Sequence, residues 1–231
     1  MALAERAIWL AKPATFNDPF DCALTLDRSL YRSSIIHAIT AGLQQGKIDG
    51  KSREKLYKEW PGDGDAFETM RNGIPKILGE MGVCCFSESS TEILLWSHYA
   101  DNHKGFCIEF DFQDGTLFRK NAKKVRYSDT IPKLSAVDFS VPKREETFDI
   151  LWLTKSSHWA YEKEWRVMMS EGDKNYAMPS KITSIIFGAK MPESDRRKIT
   201  EVLREDQEII FKEAFLVDGK FEINLRDLRE H

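Results

Sequence analysis

The chain has 231 residues, 42% hydrophobic and 31% charged, with 34 Lys and Arg against 37 Asp and Glu for a net charge of −3. This length suits one large domain with a substantial core, and the charge balance argues against generic nucleic-acid binding. No apolar run reaches the length of a membrane span, no signal peptide opens the chain, and Cys22, Cys84, Cys85 and Cys107 have no C-x-x-C spacing, so a cytoplasmic protein with reduced thiols and no membrane partner is expected.

In chain order, "AIWLAKP" predicts a strand over Ile8–Leu10, and "FNDPFD" a rigid turn. Asn17 initiates that turn, Asp18 is held extended by the following proline, and Phe16 and Phe20 pin it to the core. Residues 29–81 are rich in helix formers: Ile35, Ile36, Ile39 and Leu43 recur at helical spacing. "SREKLYKEW" is a second short helix ended by "PGDGD", and a third is interrupted near Pro75. The block reads as a helical insert within a single domain spanning 1–231, because its apolar stripes are too short to close a core unaided. "GVCCFS" is a buried strand. "SSTE", Ser89 to Glu92, has the capping-box spacing that starts a helix, and Gly105 suits its end. "FCIEFDF" alternates strictly, with Phe106, Ile108, Phe110 and Phe112 on one face. The cations Arg119, Lys120, Lys123 and Lys124 read as a solvated strand entrance or a local basic patch. "KKVRYSD" is a strand, Ser140 and Pro142 open a helix carrying Phe148, Leu151 and Trp152, and "HWAYEKEWRVMMS" is extended. "ITSIIFG" is a buried strand, the segment after Pro192 an amphipathic helix, and the last apolar run a hairpin around Asp218-Gly219. Together these elements predict an α+β fold with a mixed or antiparallel central sheet, or two packed sheets, and flanking helices.

Three segments carry chemistry. Period two in "WAYEKEWRV" puts Glu162, Glu164 and Arg166 on one face, the two carboxylates about 6–7 Å apart. Such a pair can raise one pKa or support a cationic transition state, and Arg166 can hold a phosphate or lock one Glu. An exposed face with a cross-strand ion pair explains the same spacing. In "WSHYADNHKGFCIEF", helical numbering makes His98, Asp101 and Asn102 neighbours. His98 and His103 fall about 140° apart, so no two-His metal site is expected. Trp96, His98 and Tyr99 either line a pocket for a ring or pack as core. In "FNDPFD", Asn17, Asp18 and Asp21 either serve their own turn or contact ribose hydroxyls or orient a substrate. The backbone N–H groups of "FGAKMP" could receive a phosphate, although a plain connection explains the segment as well.

The order "FNDPFD", "CFS…LLWSHYADNHKGFCIEF", "VRYSD", "LTKSSHWAYEKEWRV", "ITSIIFGAKM" resembles a widespread bacterial family named only as domain of unknown function 2971. Members of that family begin with a strand bearing a Lys-Tyr or similar pair upstream of "FNDPFD". Its absence here implies a truncated start or a lost element. More distantly, "YEKEWR" resembles the Glu-x-Glu of ADP-ribosyltransferases. That resemblance implies NAD as substrate, a macromolecular acceptor and no metal. It also implies that Glu164 holds a ribose hydroxyl, Glu162 orients the acceptor nucleophile, Tyr99 or Trp96 stacks on nicotinamide and Asn17 positions the ribose. Two alternatives stay open: a non-catalytic module for a nucleotide or protein, and a metal-assisted nuclease or hydrolase using His98, Asp101 and the late glutamates.

Overall fold

The computed structural model describes residues 3–23, 25–26, 40–41, 43–58, 62–113, 115–134 and 144–228. In chain order its strands are β1 (Ala7–Leu10), β2 (Thr25–Leu26), β3 (Gly82–Ser87), β4 (Phe106–Phe110), β5 (Lys123–Lys124), β6 (Arg126–Ser128), β7 (Lys133–Leu134), β8 (Thr154–Ser156), β9 (Glu164–Met169), β10 (Lys174–Ala177), β11 (Ile182–Phe187), β12 (Ile210–Leu216) and β13 (Ile223–Asp227). The helices are α1 (Gly50–Lys58), α2 (Gly62–Glu80), α3 (Ile93–Tyr99), α4 (Leu117–Asn121), α5 (Arg144–Leu153) and α6 (Glu193–Val202). The fold class is α+β, with parallel and antiparallel pairs in small open sheets. The contacts divide into two compact units: residues 1–11, 82–124 and 160–231 form the first, and residues 12–81 and 125–159 the second.

The first unit is built on a four-stranded sheet, β13-β12-β11-β4. The apolar run "ITSIIF" becomes β11, which pairs parallel with β12 and antiparallel with β4. A strand buried on both faces must read as such a run. On one face Ile182, Ile185 and Phe187 pack with Leu3, Met191, Ile199 and Leu203, so α6 contributes its apolar stripe there. Phe106, Ile108 and Phe110 of β4 meet the same cluster, as their alternation predicts. On the other face Trp96 packs with Ile186, Ala214 and Ile223. The terminal hairpin forms with Gly219 at φ +73°, the left-handed conformation its turn requires. A second sheet, β3-β9-β5, is antiparallel throughout, and β1 pairs with β10.

Glu213 of β12 is nearly buried and accepts from Arg196 Nη1 at 2.7 Å and Arg226 Nε at 2.5 Å. Burial pushes its carboxyl pKa up, but the two guanidinium hydrogen bonds and charges outweigh that and hold it below the ordinary value. A depressed folded-state pKa stabilises the protein above the unfolded Glu pKa, and this contribution disappears as pH falls through the folded value. Glu213→Gln should therefore lose about 1–2 kcal/mol at pH 7, measured by urea unfolding. The gap to the parent chain should close towards pH 3; a gap constant with pH would count against the ion-pair origin.

In the second unit β2 pairs parallel with β7, and β6 with β8. The expected helical block is present as α1 and α2, while Ile35, Ile36 and Ile39 lie outside the described residues. Two expectations are corrected here. α1 ends at Lys58 and α2 begins at Gly62, within "PGDGD", but α2 runs without the expected interruption near Pro75. "KKVRYSD" is two strands, β5 and β6, which join different sheets in different units. Leu151 and Trp152 of α5 are buried as expected, whereas Ser140 and Pro142 lie outside the described residues. Phe20 is corrected as well: it is largely exposed and does not pin its turn to a core.

Candidate functional site

The segment "SHWAYEKEWRV" is not one strand. Ser157–Glu162 forms a 3₁₀ helix, Lys163 takes φ +46°, and β9 begins only at Glu164. The predicted alternation is therefore corrected: Glu164 and Arg166 share a strand face, but Glu162 reaches its place through a left-handed turn. Two hydrogen bonds hold that turn. Ser87 Oγ donates to the Glu162 carbonyl at 2.6 Å, and the Glu88 N–H donates to the Lys163 carbonyl at 3.2 Å.

All three predicted side chains are buried: Glu162 is 4% exposed, Glu164 2% and Arg166 0%. Arg166 Nε donates to Glu164 Oε1 at 2.6 Å, and its Nη2 donates to Oε2 at 3.3 Å, a two-point clamp. Ser87 stands opposite Glu164 and Cys85 opposite Arg166 in the β3–β9 register. Tyr99, 55% exposed at the end of α3, donates its hydroxyl to Glu162 Oε1 at 2.8 Å. A phenol open to solvent thus touches a carboxylate withdrawn from it, across 63 residues of sequence. His98 lies beside Tyr99, ring centroids 6.3 Å apart, and is exposed.

The helix that presents Tyr99 is shorter than expected at both ends. Its N-cap is Glu92, whose carboxylate accepts from the Leu94 N–H, while the Ser89 hydroxyl accepts from the Thr91 N–H; the predicted Ser89 capping box does not form. The helix stops at Tyr99 rather than near Gly105, because Asp101, Asn102 and His103 adopt φ of +44°, +54° and +71°. These are residue types that tolerate the left-handed region best. The turn is tied back by His103 N–H to Trp96 O at 3.1 Å and Gly105 N–H to Ala100 O at 2.8 Å. Helical neighbour relations of His98 with Asp101 and Asn102 consequently do not apply. His103 Nε2 lies 3.1 Å from Ser97 Oγ, and burial with the Lys190 charge lowers its pKa. Trp96 is core, 3% exposed, with its indole N–H donated to the Ser90 carbonyl at 2.8 Å, so Tyr99 is the aromatic that the helix end presents.

Asn17 and Asp18 lie in the second unit. Asn17 is exposed, and the buried Asp18 carboxylate accepts from the Phe20 N–H at 2.9 Å, which makes it an Asx-turn residue. In this unit "FNDPFD" meets "LTKSSHW": the buried Asp21 carboxylate is 3.7 Å from Lys155 Nζ, which lies 5.2 Å from the Trp159 ring centroid. Sequence reasoning missed Lys155; a lone Lys in an apparently extended segment carries no sign of burial.

The "FGAKMP" connection is plain. Its Gly188 and Lys190 N–H groups donate to the carbonyls of Gly105 and His103, both at 2.9 Å, leaving neither for a phosphate. A cavity of about 590 Å³ in the first unit contains none of the predicted site residues, and its walls include the ion pairs Arg6–Asp206 and Lys181–Glu208. Among the described residues no group of three His, Cys, Asp or Glu is placed to hold a metal ion, and no helix is long and apolar enough to cross a membrane.

The arrangement is that of an α+β protein whose buried carboxylates are approached by one exposed tyrosine. Residues 95–167 match the family model described as Protein of unknown function (DUF2971), which bears out the family resemblance of the sequence and spans Tyr99, Glu162, Glu164 and Arg166. Neither a curated protein nor a solved structure matches the chain.

Proposed function

We propose that this protein binds a nucleotide of the NAD class and transfers its ADP-ribosyl group to a macromolecular acceptor, with Glu162 as the working carboxylate. The supporting observation is the Tyr99 hydroxyl bonded to buried Glu162 at 2.8 Å. A carboxylate out of water exerts a stronger field on a developing cation than a solvated one. An exposed phenol beside it offers a ring for a nicotinamide and a hydroxyl for a ribose. The glycosidic C–N bond breaks and nicotinamide leaves; the acceptor nucleophile bonds to the ribose carbon, whose positive charge Glu162 supports, and its proton passes to Glu162. Glu164, clamped by Arg166, acts as the buried support of this site; that assignment gives Glu162 both roles that the Glu-x-Glu resemblance divides between the two acids.

The test is incubation with labelled NAD and cell lysate. The parent chain should transfer label to a macromolecule, and Glu162→Gln should lower transfer by about a hundredfold or more while melting within a few degrees of the parent. Undiminished transfer by a folded Glu162→Gln variant would remove the role. A melting shift with NAD but no transfer would favour the non-catalytic alternative.

A further inference from the structure

The opposite face of β9 holds a second group of side chains that the carboxylate site does not use. Strand alternation turns Trp165 away from Glu164 and Arg166. Its ring meets Phe112 edge to face, centroids 5.0 Å apart at 72°. The Arg119 guanidinium carbon lies 5.3 Å from the Phe112 centroid and 5.5 Å from that of Trp165, and Lys124 Nζ lies 5.7 Å from Trp165. Glu88 organises the group: one oxygen accepts both the Trp165 indole N–H at 2.8 Å and the Lys124 ammonium at 2.7 Å. These two bonds, the Lys124 one foremost, hold the Glu88 carboxyl below its ordinary pKa, and the Lys163 charge adds to the effect. Lys120, Lys124 and Lys163 are exposed, Trp165 is half-buried and Phe112 is 38% exposed. Lys123, by alternation in β5, belongs to the other face.

Core packing accounts for Phe86, Phe110 and Phe118, which share the cluster beneath. Phe112, beyond the end of β4, rests one edge on Phe118 with centroids 5.0 Å apart and keeps 38% of its surface exposed. An ordinary solvated face offers charges without rings, and an ordinary apolar patch offers rings without charges. Here Arg119 and Lys124 lie against two accessible rings, Glu88 is the carboxylate bonded among them, and the Lys163 charge is close to Glu88. Cations that track phosphates beside aromatic faces that stack on bases are what single strands require. A duplex conceals its base faces, and an acidic peptide has none. The net charge of −3 is compatible, because it limits binding to a short footprint rather than a wrapped strand. We propose that this face, centred on Trp165, Phe112, Arg119 and Lys124, is a binding surface for single-stranded nucleic acid. The inference is independent of the proposed ADP-ribosyl chemistry.

Fluorescence anisotropy with labelled dT12 and U12 oligonucleotides tests it. Binding should have a Kd on the order of 10 µM at 50 mM salt, with log K falling against log salt with a slope of about −2, as expected for about three phosphates of a single strand. Comparison of the two oligomers shows whether DNA or RNA is preferred, and binding of either supports the surface. Phe112→Ala, at an exposed position on the rim of the core, should weaken binding about tenfold with melting close to the parent's. Arg119→Ala with Lys124→Ala should weaken it similarly and flatten the slope by about 1. No binding of either oligomer overturns the proposal. So does equal competition by poly-glutamate or a duplex of the same charge, or parent-like binding by both variants with unchanged melting.

Discussion

Arg166→Met should cost about 3–5 kcal/mol of stability, a fall in Tm of about 10 °C for a chain of this size. The side chain is fully buried, and its guanidinium donates two hydrogen bonds to Glu164, which is itself 2% exposed. Methionine fills much of the volume but supplies no charge and no donor. The variant therefore leaves the Glu164 carboxylate buried without its clamp, close in sequence to a second buried carboxylate, Glu162. A buried charge that has lost its countercharge costs more than the intact pair contributes. The double variant Arg166→Met with Glu164→Gln should accordingly recover a large part of the loss, since a neutral amide has far less to lose from burial. Thermal and urea unfolding of both variants decide the matter. A single-variant loss under about 1 kcal/mol, or a double variant no better than the single, would show that the clamp does not hold the strand face together.

Gly188→Ala should be comparably severe, about 3 kcal/mol or more. An added Cβ would stand 2.2 Å from the His103 carbonyl oxygen and 2.8 Å from that of Gly105. Both oxygens are acceptors in place, taking the N–H groups of Lys190 and Gly188, so neither can swing aside without breaking the hydrogen bond it makes. The clash also meets a backbone with little slack, because Asp101, Asn102 and His103 already occupy the left-handed region. Relief requires the whole turn behind α3 to move, and Tyr99 with it. Gly73→Ala is the internal control: it lies within helix α2, where an added Cβ meets nothing within 4 Å. That substitution should be neutral or stabilise by up to about 1 kcal/mol. Similar losses at both positions would contradict the close approach at Gly188.

Much of the fold was legible because burial leaves a periodic trace in the sequence. β11, β4, α6 and the terminal hairpin each bury a face or a whole segment, and their apolar spacing reports it. The candidate site was legible in its residue types but not in its geometry. Glu164 beside Arg166 follows from strand alternation, whereas the position of Glu162 depends on a left-handed turn at Lys163, a residue with no preference for that conformation. The early end of α3 was hidden for a similar reason. Asp101, Asn102 and His103 can continue a helix, and the turn is favoured only once its carbonyls find the N–H groups of Gly188 and Lys190, more than 80 residues away.

The sequence by itself determined the α+β class, the strands and helices with strong apolar periodicity, the family resemblance that the match over residues 95–167 bears out, and the pool of polar and aromatic residues from which a site can be drawn. Tertiary structure alone decided which of those residues meet. It bonded Tyr99 to Glu162, clamped Glu164 with Arg166, brought Asp21 to Lys155 and sank Trp96 into the core. The physical reason is range. Periodicity reports how each segment meets the core a few residues at a time, whereas pairings such as Tyr99 with Glu162 depend on how segments distant in sequence pack together in space.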